Sequence, residues 1–145
     1  MSSQPIHSLY GSWLAMWNGN LELADQIVAH HCIVHQAPFG PGEPQQFRGP
    51  EGVMQMVRMG REPFDQLAFT CDVGPIVEGD RLAARWTGRG TYKGGIPGTT
   101  APAGTPIAFS GIDLWRVEDH KIAEYWVSSD GVHLMAQLGM FSPQA

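Results

Sequence analysis

The sequence predicts an α+β fold in which a curved antiparallel sheet wraps around N-terminal helices and a C-terminal helix follows. Before Pro63 the apolar side chains recur mostly at helical spacing, interrupted by one short β-branched segment. After Pro63 they follow strand patterns in four segments, joined by compact turns or by a Gly/Pro-rich loop. Helices gathered at one end of a chain and an antiparallel meander at the other are typical of α+β domains. A strongly curved sheet of this kind would form a cone-shaped barrel with an internal pocket.

Length and composition restrict the classes of function. The 145 residues, 43% of them hydrophobic, predict a single folded domain over residues 1–145. A net charge of -5 without a Lys/Arg-rich stretch argues against a nucleic-acid partner. No apolar run approaches the roughly 18 residues of a membrane span, and no signal-peptide pattern is present. The two cysteines indicate reduced thiols, as expected in the cytoplasm.

The N-terminal half predicts three helices and a short strand. The segment "SLYGSWLAMWNG" has helical spacing that ends at residues 18–20, and "LELADQIVAHH" predicts a second helix. The β-branched segment "CIVHQAP" predicts a strand that ends at Pro38. After a Pro/Gly loop, Gly49 and Pro50 open a third helix, because proline suits the first helical turn.

The C-terminal half predicts four strands and a helix. The strands are "LAFTCDV", "RLAARWTGRGTY", "TPIAFSGIDLWRV" and "KIAEYWV", with compact turns at residues 78–80 and 118–120. The Gly/Pro-rich segment "KGGIPGTTAPAGTP" between the second and third strands predicts an irregular loop. The last helix is expected to begin near Asp130 and to end at Gly139.

Asp130 lies between the last strand and the last helix, and two interpretations are open. Aspartate is a favoured helix N-cap, although His133 stands where a capping box would place Glu or Gln. Trp126 precedes Asp130 on the strand, and a carboxyl group against aromatic walls is suited to proton transfer because its ionised form is disfavoured.

The segment "HHCIVH" contains three histidines and a cysteine, which suggests a metal site at first sight. The change from helix to strand within six residues would scatter these side chains, so we predict no metal. His30 and His31 are expected at a solvated helix end. His35, inside the strand, is either a buried structural histidine or an acid/base group in a pocket.

Asp113 shares one face of its strand with Phe109, Gly111 and Trp115, because side chains alternate along a strand. A buried acid at this place needs a partner or a function. It either pairs with an arginine such as Arg85 or faces a substrate.

Residues 8–139 resemble the SnoaL-like polyketide cyclases. The resemblance is carried by "WTGRGTY", the "GIP" loop, "FSGIDLWRVED", "KIAEYW", the following aspartate and a terminal "QLG". In the N-terminal half it is carried by "IVHQAPFGPG" and "RGPEGVMQMV".

The resemblance implies a barrel of the nuclear-transport-factor type, without metal or cofactor, that closes a polyketide ring by intramolecular aldol condensation. It implies an acid/base role for Asp130, and it matches His35 to a pocket-lining residue. Many members have a histidine where this chain has Tyr92, and some have one near Trp115, so the second polar group of the reaction stays open.

The function predicted is a cofactor-independent cyclase for a small, apolar, carbonyl-bearing ring compound. Asp130 would remove the proton, and His35 or Tyr92 would hold the enolate oxygen. Asp113 is a further candidate for substrate contact, and the apolar walls are assigned to Trp17, Met54, Trp115 and Trp126. A hydroxylase, isomerase or dehydratase on the same scaffold, and a non-catalytic binding protein, are the alternatives.

Assembly through the sheet is also expected. One face of the sheet covers the pocket, so the other must meet solvent or another subunit. Trp86, Trp115 and Trp126 do not all fit the same cavity. The sequence therefore predicts a homodimer or homotetramer through the sheet.

Overall fold

The computed structural model describes residues 4–36 and 46–141 and confirms the α+β fold. Within these residues, four helices accompany a curved sheet of five strands that does not close. The elements in chain order are α1 (Gln4–Trp17), a 3-10 turn (Leu21–Leu23), α2 (Ala24–Ile27), β1 (Val28–His35), α3 (Gly49–Arg61), β2 (Phe64–Glu78), β3 (Arg81–Tyr92), β4 (Pro106–Glu118), β5 (Lys121–Ser129) and α4 (Gly131–Gln137). Among the described residues, no helix is long and apolar enough to cross a membrane.

The spatial order of the sheet is β1-β5-β4-β3-β2. Strands β2 to β5 form the predicted antiparallel meander, whereas β1 pairs with β5 in parallel. The predicted irregular loop between β3 and β4 spans residues 93–105, and α3 begins at Gly49 as predicted.

The second helix is shorter than predicted. It ends at Ile27, and β1 begins at Val28, which pairs with Ile122 of β5. His30 and His31 therefore lie in a strand, and their prediction as a helix end is wrong. Pairing with β5 and burial of Val28 outweigh the helical spacing of this segment. Pro38, the predicted end of this strand, lies outside the described residues.

Gly49 allows α3 to start close against β1. Its φ angle is +66°, and an added Cβ would lie 2.9 Å from the carbonyl oxygen of His30. A side chain at this position would be both strained and too close to the backbone. Glycine here therefore sets the distance between α3 and the sheet.

The concave face of the sheet holds the core. The first of two apolar clusters packs α1 and α3 against it around Trp13, Val53 and Trp115. The second lies between the start of β2, β3, β4 and α4, around Phe69, Trp86 and Leu138. These side chains occupy the space where the pocket was expected.

The outer face of the sheet carries an apolar row. The in-register residues Ile76, Ala83, Leu114 and Trp126 cross β2, β3, β4 and β5 in that order. Ile76 is 61% exposed and Leu114 37%, and Ile112 beside them is 49% exposed. An apolar patch of this extent is typical of an interaction surface.

We expect this face to bind the same face of a second copy of the chain, because a two-fold contact requires a self-complementary patch. Leu114→Glu would place a charge in the middle of the row and should convert the expected dimer into a monomer. Light scattering at micromolar concentration measures the change. Val132→Glu is the matched control, since Val132 is 74% exposed but lies on α4. A monomeric wild-type protein at that concentration contradicts the prediction.

Candidate functional site

The carboxyl group of Asp113 lies in the interior of the protein. Asp113 is in the middle of β4, on the concave face, and is only 3% exposed. Its neighbours in register are Ala84 on β3 and Val127 on β5. An acidic side chain is seldom buried to this extent unless its oxygens are satisfied by the protein.

Four aromatic side chains donate hydrogen bonds to Asp113. The Oδ1 atom accepts from Trp86 Nε1 at 3.0 Å and from the Tyr125 hydroxyl at 2.6 Å. The Oδ2 atom accepts from the Tyr10 hydroxyl at 3.3 Å and from Trp13 Nε1 at 3.2 Å. We call this set of donors the aromatic cage. It satisfies both oxygens of an ionised carboxylate without a cation.

The secondary structure brings the cage together. Tyr10 and Trp13 are three residues apart on α1, so both face the sheet. Trp86 stands opposite Gly111, and Tyr125 stands opposite Trp115, each two residues from Asp113 along β4. An added Cβ on Gly111 would collide with the Trp86 indole ring, so glycine leaves the space that this ring needs.

Burial raises the pKa of Asp113 to about 6, from an ordinary value of 3.8. The hydrogen bonds of the cage oppose this rise, and the bond from Tyr125 opposes it most. Burial and the nearby Asp113 charge raise the pKa of Tyr125 well above its ordinary value, and they do the same for Tyr10. Both hydroxyls therefore keep their protons at neutral pH.

Further aromatic rings surround the cage. The ring centroids of Trp115 and Tyr10 are 6.0 Å apart, and those of Trp13 and Tyr125 are 4.7 Å apart. Trp17 lies 6.4 Å from Trp13 by the same measure. The Trp115 Nε1 atom is buried without a hydrogen-bond partner, which makes it an unused donor in the same apolar region.

The expected pairing of Asp113 with Arg85 is wrong. Ala84 is the residue of β3 in register with Asp113, and Arg85 is in register with Ile112. Because side chains alternate along a strand, Arg85 points to the outer face, where it is exposed. Aromatic N–H and O–H groups take the place of the cation.

Asp130 occupies the N-cap position of α4, but its side chain makes no capping hydrogen bond. Its Oδ1 atom accepts from the backbone N–H of Ser110 at 2.8 Å, and its own N–H donates to the Ser110 carbonyl at 3.0 Å. Asp130 therefore continues the pairing of β4 beyond the end of β5. It is exposed, so the expected aromatic walls do not enclose it.

His35 lies on the outer face of the sheet. Its side chain is 44% exposed and its Nε2 atom is 2.7 Å from Glu124 Oε2. Its ring stacks on Trp126 at 5.2 Å. The structure thus brings His35 and Trp126 together, but on the opposite face of the sheet from Asp113. Neither expectation for His35, a buried histidine or a pocket acid/base, fits this position.

Three other predicted residues lie at different depths. Tyr92 is buried, and its hydroxyl accepts from the Ile96 N–H at 2.8 Å and lies 2.7 Å from Thr99 Oγ1, which fixes the loop of residues 93–105. Met54 is partly buried against the core. Trp17 is partly buried between the two apolar clusters.

Four residues of the site were not singled out from the sequence as partners of Asp113: Tyr10, Trp13, Trp86 and Tyr125. The alternation of β3, β4 and β5 contained the signal for two of them, because it puts Trp86, Asp113 and Tyr125 on one face once the register is known. The approach of α1 to that face is a tertiary contact, which strand and helix periodicity do not report.

Two hollows in the described part of the chain lie on the surface, away from Asp113. One, of about 410 Å³, is lined by α3 and the start of β2, and includes Arg61 and Lys93. Arg61 donates hydrogen bonds to the backbone carbonyls of Trp17 and Leu67, so its guanidinium group is engaged within the protein. Within the described residues, no group of three or more His, Cys, Asp or Glu side chains is placed to hold a metal ion.

The titration of Asp113 predicts how stability depends on pH. Below about pH 4 the group is protonated in both states. Between about pH 4 and pH 6, Asp113 keeps its proton in the folded state and loses it in the unfolded state. The free energy of unfolding therefore falls as pH rises. A shift from 3.8 to about 6 corresponds to a loss of about 3 kcal/mol.

Urea denaturation across this pH range measures the loss. Asp113→Asn, which cannot ionise, is the reference, and subtracting its profile removes the contribution of exposed carboxylates. If the free energy of unfolding depends on pH in the same way for the wild type and for Asp113→Asn, the raised pKa of Asp113 is contradicted.

Solved structures share this fold. TsrD from Streptomyces laurentii is 27% identical, with a TM-score of 0.79 over 97% of this chain and 99% of that chain. IdmH from Streptomyces antibioticus, a candidate polyketide cyclase, is 29% identical, with a TM-score of 0.76 over 94% and 99%. A candidate polyketide cyclase from Bacillus cereus is 25% identical, with a TM-score of 0.77 over 98% and 87%.

No curated protein matches the chain. The family model of the SnoaL-like polyketide cyclases matches residues 7–138, which is nearly the whole sequence. The fold, a curved sheet accompanied by helices, agrees with that match, and the chain belongs to the SnoaL-like polyketide cyclase family.

Proposed function

We propose that this protein is a cofactor-independent cyclase in which Asp113 is the acid/base group. The substrate is a small, apolar, polyketide-like ring compound with carbonyl groups, and the ring closes by an intramolecular aldol reaction. Family membership supports a cyclase-type function. The observation that carries the assignment to Asp113 is its burial within four aromatic donors, which makes it the most strongly desolvated acid among the described residues.

The proton affinity of Asp113 suits this chemistry. Burial raises its pKa to about 6, so it is ionised but still basic at neutral pH. A general base works best when its pKa is near the working pH. Strongly perturbed carboxyl groups are enriched at functional sites.

The reaction needs only proton transfer and charge stabilisation. Asp113 takes the proton from a carbon next to a carbonyl, and the electron pair of the broken C–H bond forms the enolate. The enolate carbon bonds to a second carbonyl carbon of the same molecule. The resulting alkoxide takes the proton back from Asp113, so no electron acceptor and no further reactant are consumed.

Trp115 is the candidate donor for the enolate oxygen. Its buried indole N–H has no partner, and a donor already oriented in an apolar region stabilises developing negative charge strongly. The two donors expected from the sequence are less suitable. His35 lies on the outer face, and the Tyr92 hydroxyl is engaged with the loop of residues 93–105.

The surroundings of Asp113 favour an aromatic, apolar substrate. Phe69, Trp86 and Phe109 pack edge to face, with centroids 5.4 to 5.9 Å apart. Phe109 is partly exposed, so this cluster of rings reaches the surface of the protein. A flat ring that displaces these side chains would find equivalent edge and face contacts. The free thiols of Cys32 and Cys71 fit a reducing compartment such as the cytoplasm.

Exchange of the protons next to the carbonyl of α-tetralone in D2O, followed by NMR, tests the assignment. Asp113→Asn should lower the catalysed exchange by about two to four orders of magnitude, because it removes the base. Asp130→Asn is the matched control and should leave the rate unchanged, since the exposed amide oxygen can still accept from Ser110. Circular dichroism establishes that both variants are folded.

A folded Asp113→Asn variant with the wild-type rate contradicts the proposal, and so does an inactive, folded Asp130→Asn variant. A wild-type protein that binds the ketone and returns it without exchange supports a binding protein instead. Oxygen incorporated into the ketone supports a hydroxylase.

A further inference from the structure

The two oxygens of Asp113 are bound differently. The donors to Oδ1 lie at 2.6 and 3.0 Å, whereas the donors to Oδ2 lie at 3.2 and 3.3 Å. Shorter hydrogen bonds to a charged oxygen stabilise its negative charge more. The Oδ1 atom is therefore the better-stabilised oxygen, and Oδ2 is the more basic one.

Each oxygen has one tryptophan and one tyrosine as partners. An indole N–H can only donate, whereas a phenol hydroxyl can both donate and accept. A protonated Asp113 has an O–H group of its own, which must find an acceptor in this buried place. Within the cage, only the hydroxyls of Tyr10 and Tyr125 can accept it.

We infer that Asp113 exchanges its proton at Oδ2 through the hydroxyl of Tyr10, while Tyr125 holds Oδ1 and acts as a positioning residue. The catalytic part of this inference rests on the proposed function. The inequivalence of the two Asp113 oxygens is independent of the proposed function, because it follows from the hydrogen bonds alone.

The contacts of the two tyrosines agree with this division. The bond from Tyr125 is the shortest of the four and lowers the pKa of Asp113 most. The bond from Tyr10 is the longest and is the easiest to exchange. Burial and the negative charges of Asp113 and Asp72 together hold the pKa of Tyr10 above its ordinary value. A free Tyr10 phenolate is therefore disfavoured, and the transfer must be concerted.

The relay balances. The substrate C–H bond breaks, its proton forms a new O–H bond on Tyr10, and the original Tyr10 proton moves to Asp113 Oδ2. The electron pair of the C–H bond stays on the substrate as the enolate. Tyr10 begins and ends as a neutral phenol, and Asp113 ends as a neutral acid.

The variants Tyr10→Phe and Tyr125→Phe form a matched pair, because each removes one hydroxyl and keeps the ring. Carbon-13 NMR of the Asp113 carboxyl carbon gives its protonation midpoint in each protein. Tyr125→Phe should raise the midpoint by about one to two pH units, since one hydrogen bond to the charged group is lost. Tyr10→Phe should raise it by less, yet should slow the exchange of α-tetralone by on the order of tenfold or more.

A wild-type measurement accompanies the variants in case one of them does not fold. With carbon-13 in the tyrosine rings, protonation of Asp113 should shift the Cζ signal of Tyr10 more than that of Tyr125. A larger midpoint change in Tyr10→Phe than in Tyr125→Phe, or a larger Cζ shift for Tyr125, overturns the inequivalence. A folded Tyr10→Phe variant with the wild-type exchange rate overturns the relay. A wild-type protein without any exchange overturns the proposed function, while the midpoints still decide the inequivalence.

Discussion

The carboxyl group of Asp113, held by four aromatic donors, is the interaction on which the arrangement of the interior depends. Moving a carboxylate out of water costs several kcal/mol, and only good hydrogen bonds offset this cost. The four donors come from α1, β3 and β5, while the acceptor is on β4. The position of α1 on the sheet is therefore fixed by polar bonds as well as by apolar packing.

The two faces of the sheet carry different kinds of side chains. The concave face holds Asp113, the aromatic cage and the apolar clusters, and the outer face holds the apolar row beside the ion pairs of Arg116 with Glu118 and Glu124. Strand alternation assigns each side chain to one of these faces. His35 and Trp126 belong to the outer face, on the side of the sheet away from Asp113 and the aromatic cage.

The sequence was sufficient for the fold class and for most strand and helix positions, because alternation and turn residues are local signals. Strand alternation also correctly predicted that Asp113 and Trp115 share one face of β4. The sequence-based prediction misplaced the start of β1, since pairing with β5 is a long-range effect. The hypothesis for Asp130 rested on the neighbouring Trp126 and on the family resemblance, and it stays a prediction. The cage around Asp113 depends on strand register and on the approach of α1, and neither is visible in local periodicity.

The central claim is that Asp113 is the group that moves the proton. The most direct test compares two midpoints in the wild-type protein: the pH dependence of α-tetralone exchange, and the carbon-13 NMR titration of the Asp113 carboxyl. If Asp113 moves the proton, the rate should fall as pH decreases through the midpoint of Asp113, near 6, so that the two values coincide. An exchange rate that stays constant while the NMR signal shows Asp113 becoming protonated would contradict it.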